Sequence, residues 1–215
     1  MFDDLLRESS RRSGVPFYTF DRPTDYDENV ERKPRLLGAG PFLRSGGIDL
    51  AMGPPSDPPD AETVHAVGTH ENDIVLELIR QQGVEPCEGS VRFVEAVRGQ
   101  RPPGAVVASS TDGQDVPVAA GIKDVFEGRI DGVVAERDGL VGKPGPDTSL
   151  AGAPMFRAAP AQAAVFGDAL AGVEAGRGGN FGCVVGADRT GQAAALSRRG
   201  ADVVVQDLGA RLGRR

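Results

Sequence analysis

Short apolar runs recur through the C-terminal half of the chain, each followed by a small or polar residue and then a helix-like stretch. They occupy residues 105–108, 132–135, 163–166, 183–186 and 203–205. An unbroken apolar run is typical of a strand that is buried on both faces, as in a parallel sheet. Because the runs alternate with helical stretches, the pattern predicts an α/β fold with a doubly wound parallel, Rossmann-like core.

The first part of the chain is more polar and has helical rather than strand-like patterns. Residues 53–60 read Gly-Pro-Pro-Ser-Asp-Pro-Pro-Asp and predict a loop, because each proline lacks a donor and disfavours helix in the residue before it. Residues 72–82 carry four apolar side chains on one helical face, and Ser90 predicts the N-cap of a second helix. We therefore expect an N-terminal helical cap domain over residues 1–86 and the core domain over residues 87–215.

Composition and charge exclude several classes of function. Hydrophobic residues make up 40% of the 215 and charged residues 26%, as in ordinary globular proteins. The net charge of -7 disfavours nucleic acid as a partner. Cys87 and Cys183 lack metal-ligand spacing and are expected to be reduced thiols. The sequence shows no signal-peptide pattern and no run of about 20 apolar residues, so we expect a cytoplasmic protein with no membrane partner. The oligomeric state is not indicated.

Four residues that suit phosphate chemistry fall where the predicted strands end. Ser109 and Ser110 follow the first apolar run, Lys143 lies in a Gly-Lys-Pro turn, and Asp168 follows the third run. Ligands of such sheets bind beyond the carboxyl ends of the strands. Hydroxyls and N–H groups at a helix start can bind phosphate, a lysine can neutralise it, and a carboxylate can hold Mg²⁺. Singly, each has a plainer interpretation as a helix cap or a solvated turn residue; together they predict a phosphate and magnesium site.

Longer motifs around these residues occur in a characteristic order. They are Val-Val-Ala-Ser-Ser-Thr at 106–111, Arg-Ile-Asp-Gly-Val-Val at 129–134, Gly-Lys-Pro-x-Pro-Asp-Thr at 142–148, and Val-Phe-x-Asp-Ala-x-Ala-Gly-Val-Glu-Ala-Gly at 165–176. In this order they resemble the core of haloacid dehalogenase-like phosphotransferases, and most closely the β-phosphoglucomutase branch. Residues 57–65 resemble the cap of the same branch, so the resemblance covers essentially the whole chain.

The resemblance implies phosphoryl transfer on a sugar phosphate, of the β-glucose 1-phosphate to glucose 6-phosphate type or a related phosphatase reaction. An aspartate nucleophile forms an aspartyl-phosphate in such proteins, and Mg²⁺ and a lysine stabilise the transferring group. By this resemblance Ser109 is the phosphate-binding hydroxyl, Lys143 the catalytic, charge-neutralising lysine, and Asp168 the Mg²⁺ ligand. The small-molecule partner is then a sugar phosphate.

The chain also departs from the pattern of that branch. The expected Asp-x-Asp-Gly motif on a central first strand is missing, and Asp131 is rejected as its substitute because it follows the serine motif in chain order. Gly167 stands where an acidic partner of Asp168 is usual, and Asp112 where asparagine is frequent. Pro117 interrupts a predicted helix. We expect the chain as printed to be inactive or impaired as an enzyme, with the central strand missing from its sheet.

Alternative functions remain open at this point. The chain is either a phosphomutase-like or phosphatase-like protein that begins too far downstream, or a degenerate, non-catalytic homologue that survives as a remnant or as a phosphate-ester binding module. In the cap, His70 is either a substrate contact or a plain surface histidine. A nucleotide-binding oxidoreductase has little support, because Gly38 and Gly40 form a lone Gly-x-Gly with Leu43 where the third glycine belongs.

Overall fold

The computed structural model of the chain describes residues 7, 10, 11, 14, 35–45, 47–100, 102–110 and 115–212. The chain separates into two compact units, Met1–Gln81 and Gln82–Arg215. Each unit has its own cluster of buried apolar side chains. The expected boundary between residues 86 and 87 stays a prediction.

From residue 35 onwards, the described part of the first unit contains the helices α1 (Arg35–Ser45) and α2 (Val64–Gln82). Its core consists of side chains from both helices, with two residues after α1 packed against it: Ala39, Phe42, Leu43, Val64, Val67, Ile48 and Leu50. Residues 53–60 form a loop, as predicted. Helix α2 begins earlier than the expected residue 72 and is followed by Gly83 at φ 71°. The glycines of residues 38–40 lie within α1, so they form no phosphate loop after a strand.

The second unit alternates parallel strands with short helices. Its elements in chain order are α3 (Glu88–Gly99), β1 (Ala105–Val107), α4 (Asp115–Ala119), β2 (Gly128–Ile130), α5 (Gly132–Asp138), α6 (Asp147–Gly152), β3 (Ala164–Gly167), α7 (Leu170–Gly178), β4 (Cys183–Ala187), α8 (Ala193–Arg198) and β5 (Val203–Val205). Single 3₁₀ turns lie at Lys123–Val125, Ala153–Phe156, Pro160–Gln162 and Leu208–Arg211. No helix in the described part of the chain is long and apolar enough to cross a membrane.

The strands of the second unit pair in parallel within two sheets. β1 pairs with β2, and β3, β4 and β5 form a three-stranded sheet in that order. The register sets Val106 opposite Arg129 and Val165 opposite Val184. The predicted α/β fold with parallel strands is therefore confirmed. The expected absence of a central strand concerns the segment before residue 35, which lies largely outside the described residues, and stays a prediction.

Two local predictions were wrong. The run at residues 132–135 is the start of helix α5, because the side chain of Asp131 accepts a hydrogen bond from the N–H of Val134 (3.0 Å) and so caps a helix there. The strand is the preceding segment, β2. Ser90 does not cap α3 but lies within its first turn; Cys87 precedes the helix and Glu88 opens it, which suits the positive end of the helix dipole.

The core of the second unit holds the three-stranded sheet between helices. Its buried members come from the segments after α6 and α7 and from α7, β4 and α8: Ala153, Val173, Phe181, Val184 and Leu196. Gly176 lets α7 approach the sheet closely, because a Cβ there would lie 3.2 Å from side-chain atoms of Val165 and Val184. This packing fixes the carboxyl ends of β3 and β4, which are followed by the polar residues Asp168 and Asp188.

Candidate functional site

Ser109 and Ser110 follow β1 directly and lie against the end of β2. The N–H of Ala108 donates to the carbonyl of Ile130 (2.8 Å), and the N–H of Gly132 donates to the carbonyl of Ser110 (2.9 Å). The two serines are therefore held by the backbone at the carboxyl edge of this sheet, as the sequence predicted for a phosphate-binding loop. Thr111 and Asp112, which continue the motif, lie outside the described residues.

Lys143 reaches the same strand end from a turn far along the chain. Its Nζ donates to the carbonyl of Val107 at 2.7 Å. In a parallel strand, alternate residues bond to opposite sides, and Gly104 and Ala108 both bond towards β2. The carbonyl of Val107 therefore faces the other edge of β1, and the ammonium group lies at that edge.

The turn that carries Lys143 is fixed by its own hydrogen bonds and by helix α6. The N–H of Gly145 donates to the carbonyl of Gly142 (2.9 Å), and the N–H of Val141 donates to the carboxylate of Asp147 (3.0 Å) in the first turn of α6. Helix α6 contacts both β1 and β2. The lysine is thus a positioned residue rather than a freely solvated one.

Asp168 follows β3, as predicted, but it does not cap the helix after it. The residue before α7 is Ala169, and no side chain caps this helix. One carboxylate oxygen of Asp168 lies 3.4 Å from Nε of Arg189, and the side chain of Gln192 donates to the main-chain carbonyl of Asp168 (3.1 Å). An arginine is therefore the neighbouring cation of this carboxylate.

The described residues do not fit a resident Mg²⁺ at Asp168. Among them, no group of three or more His, Cys, Asp or Glu side chains could hold a metal ion. Gly167 adds no ligand, although a Cβ there would meet its nearest atoms in helix α7 at an ordinary 3.6 Å. A hard divalent cation prefers several oxygen ligands, and the guanidinium group beside this carboxylate opposes its binding.

The carboxylate of Asp131 is used to hold the fold together. It is 1% exposed, caps α5, and its second carboxylate oxygen lies 2.8 Å from Nε of Arg129. Both oxygens of the carboxylate are engaged within the fold, which agrees with its rejection as a nucleophile. The Asp-Gly-Val sequence is thus a helix start.

Arg189 was missed by the sequence interpretation. It follows β4 in the sequence Gly-Ala-Asp-Arg, at the same carboxyl edge of the sheet as Asp168. The rule that ligands lie beyond strand ends could have found it, because this rule applies to β4 as well as to β3. Among the predicted residues, Ser109, Ser110 and Lys143 gather at β1, while Asp168 ends β3 in the other sheet. His70 lies on α2 in the first unit.

Comparison with known proteins decides the family. The chain is 44% identical over 211 residues to a β-phosphoglucomutase of Mycobacterium bovis, an alignment that spans 97% of this chain and 80% of the relative. The chain belongs to the β-phosphoglucomutase family. The predicted resemblance to haloacid dehalogenase-like proteins is thereby confirmed. No family profile matches the chain.

Solved structures share the fold of this chain. A β-phosphoglucomutase from Clostridium difficile superimposes with a TM-score of 0.72 at 20% identity, over 97% of this chain and 85% of that one. CbbY from Rhodobacter sphaeroides, solved in complex with phosphate, gives a TM-score of 0.68 at 17% identity, over 98% and 88% of the two chains. At these identities the structures show the shared α/β fold.

Proposed function

We propose that this chain binds the phosphoryl group of a small sugar phosphate at the carboxyl end of β1, as a phosphoryl-transfer protein of the β-phosphoglucomutase and sugar-phosphate phosphatase type. The observation that carries the proposal is the hydrogen bond from Lys143 to the carbonyl of Val107. It holds a cation beside the residue pair Ser109 and Ser110, although Lys143 is more than thirty residues away along the chain.

Each of these residues has a definite part in binding. The serine hydroxyls and the backbone N–H groups after β1 donate to phosphoryl oxygens. The ammonium group of Lys143 carries three donors and a full positive charge, and it neutralises an equatorial oxygen as a point charge. This is electrostatic stabilisation by preorganised groups, the main contribution that protein side chains make to phosphoryl transfer.

The substrate class rests on the family. The 44% identical relative carries the name β-phosphoglucomutase, and this supports a hexose phosphate of the β-glucose 1-phosphate or glucose 6-phosphate type as the ligand. Mg²⁺ is the cation that the resemblance implies. Since the described residues do not fit it at Asp168, no step of the proposal passes through the metal.

Turnover by the chain as printed is proposed to be slow or absent. The 215 residues contain no Asp-x-Asp-Gly motif, and an aspartyl-phosphate route needs that nucleophile. The second candidate function is therefore a non-catalytic module that binds phosphate esters. The ion pair between Asp168 and Arg189, together with Gly167, favours this candidate.

The test is calorimetric titration of the full chain with glucose 6-phosphate and β-glucose 1-phosphate, with unphosphorylated glucose as the ligand control. We expect binding of the phosphates only, and a loss of about ten-fold or more in affinity for Lys143→Gln, since a charged partner of the phosphate is removed. Arg137→Gln, which removes an exposed cation paired with Asp138, should bind normally. Equal affinity in wild type and Lys143→Gln would refute the proposed site. A coupled assay on the same samples separates binding from turnover.

A further inference from the structure

The guanidinium group of Arg189 lies between two side chains from different elements. Its Nε is 3.4 Å from the carboxylate of Asp168, and its Nη2 donates to the hydroxyl of Ser90 on α3 (3.0 Å). The side chains of Arg189 and Asp168 are 31% and 30% exposed, so the pair is only partly accessible to water. Partial burial strengthens the attraction between such charges relative to a pair on the open surface.

The segment that carries Arg189 is also attached to the end of β3 and β5. Gln192 donates through its side chain to the main-chain carbonyl of Asp168, and the N–H of Asp188 donates to the carbonyl of Val205 (2.7 Å). The carboxylate of Asp188 accepts from the N–H of Gln192 (2.7 Å), before helix α8. These bonds lie on either side of Arg189, so its position beside Asp168 is set by the backbone.

We propose that Arg189 is the resident cation of Asp168 and suppresses the binding of a divalent cation at this strand end. A dication that approached the carboxylate would lie within a few ångströms of a guanidinium group, and like charges at that range repel strongly. The position before Asp168 offers no second carboxylate, because it is Gly167. The inference goes beyond the proposed function, because it concerns the carboxyl ends of β3 and β4 and not the end of β1 at which the phosphoryl group is proposed to bind.

The first test measures Mn²⁺, a divalent probe, against the full chain by electron paramagnetic resonance, which counts the free ion. We expect weak binding by the wild type and binding about ten-fold or more tighter by Arg189→Gln, because the repelling charge is gone. The matched control is Arg199→Gln, which removes the arginine of another ion pair in the same unit, with Glu174. It should leave Mn²⁺ affinity at the wild-type level.

A second substitution locates the gained site. Asp168→Asn in the Arg189→Gln background should return Mn²⁺ affinity to the wild-type level, since the carboxylate that binds the ion is removed. The inference is overturned if Arg189→Gln gains nothing, if Arg199→Gln gains as much, or if the double variant keeps the gain.

A measurement on the unmodified protein tests the same inference if Arg189→Gln fails to fold. A ligand that binds only the folded state raises the melting temperature according to its affinity. We expect the melting temperature of the wild type in 10 mM Mg²⁺ to lie within about 1 °C of its value in a buffer of equal ionic strength that contains no divalent cation. A rise of several degrees would overturn the inference. None of these experiments contains a sugar phosphate, so their failure is distinct from failure of the proposed binding function.

Discussion

At the scale of single residues, Asp131 and Asp168 show how two strand-end carboxylates acquire different roles from their partners. Asp131 is buried, caps a helix and pairs with Arg129. Asp168 is partly exposed, caps no helix, and pairs with Arg189. The sequence placed Asp168 after a strand and Asp131 before the apolar run at residues 132–135, and only the structure shows that Asp131 follows β2 and is committed to the fold.

We expect Asp131→Ala to lower the free energy of unfolding by roughly 2–4 kcal/mol, because it leaves the N–H of Val134 uncapped and Arg129 without its carboxylate. Asp131→Asn should cost less, since an amide oxygen can still accept from Val134. Urea denaturation of the two variants measures both values. An alanine variant as stable as the wild type would contradict the structural role of Asp131.

At the scale of elements, two glycines of α7 differ in what surrounds them. A Cβ on Gly176 would lie 3.2 Å from Val165 and from Val184, which is 0% exposed. A Cβ on Gly178 would meet only Pro146, at 3.9 Å. The contact between α7 and the sheet therefore depends on one of these glycines and not on the other.

Gly176→Ala should destabilise the protein by about 1–2 kcal/mol, because Val184 is fully buried and has little room to move away from the added methyl group. Gly178→Ala should be neutral or stabilise by about 0.5 kcal/mol, since alanine loses less backbone entropy than glycine in a helix. Thermal or urea unfolding of the pair compares identical chemical changes two residues apart. Equal stability of the two variants would contradict the close packing of α7 against the sheet at Gly176.

The connection before β5 depends on a carboxylate with two partners. Asp202 accepts from the N–H of Val184 (2.8 Å) and pairs with Arg177. The backbone hydrogen bond first, and Arg177 second, lower the pKa of Asp202 below its ordinary value of 3.8. A lowered pKa in the folded state means that the carboxylate stabilises the fold fully above pH 3.8 and that this contribution is lost as the pH falls through the lowered pKa.

The stability difference between the wild type and Asp202→Asn should therefore be largest near neutral pH and shrink as the pH falls below 3.8. Melting temperatures of the two proteins between neutral pH and the acid transition measure it. Glu174→Gln serves as the comparison, because Glu174 on α7 forms an ion pair of similar exposure with Arg199, which follows α8. If the stability difference between the wild type and Asp202→Asn stays constant with pH, the charge of Asp202 does not contribute to the stability of the fold.

At the scale of the whole molecule, the sequence was sufficient for the fold class and for most strands, because the apolar runs alternate with helical stretches. The expected burial of strands on both faces does not hold for β3, in which Ala164 and Phe166 are exposed. It failed at residues 132–135, where a capping aspartate outweighs two valines, and it missed α1, whose internal Pro41 and paired glycines are poor helix formers. It missed Arg189 beside Asp168, although both residues follow neighbouring strands of the same parallel sheet. The motifs placed the candidate residues at strand ends, and their part in binding stays a prediction.

Because each unit has its own cluster of buried side chains, we expect a core substitution to increase hydrogen exchange mainly in the unit that contains it. Val184→Ala should lower stability by about 2–3 kcal/mol and increase hydrogen exchange mainly in peptides of the second unit, because it opens a cavity in that cluster. Leu43→Ala should do so mainly in peptides of the first unit. Hydrogen exchange with mass spectrometry of both variants compares the two patterns. Identical patterns would contradict two separate cores.

The hydrogen bond from Lys143 to Val107 places an amine at the proposed binding site, so the reactivity of this amine can report ligand binding. The chain has only three lysines, Lys33, Lys123 and Lys143, so an acetylating reagent followed by peptide mapping reads each amine separately. A phosphate bound at this strand end would engage the amine of Lys143 and slow its acetylation. The acetylation rate of Lys143 therefore follows occupancy of the strand end in the unaltered protein.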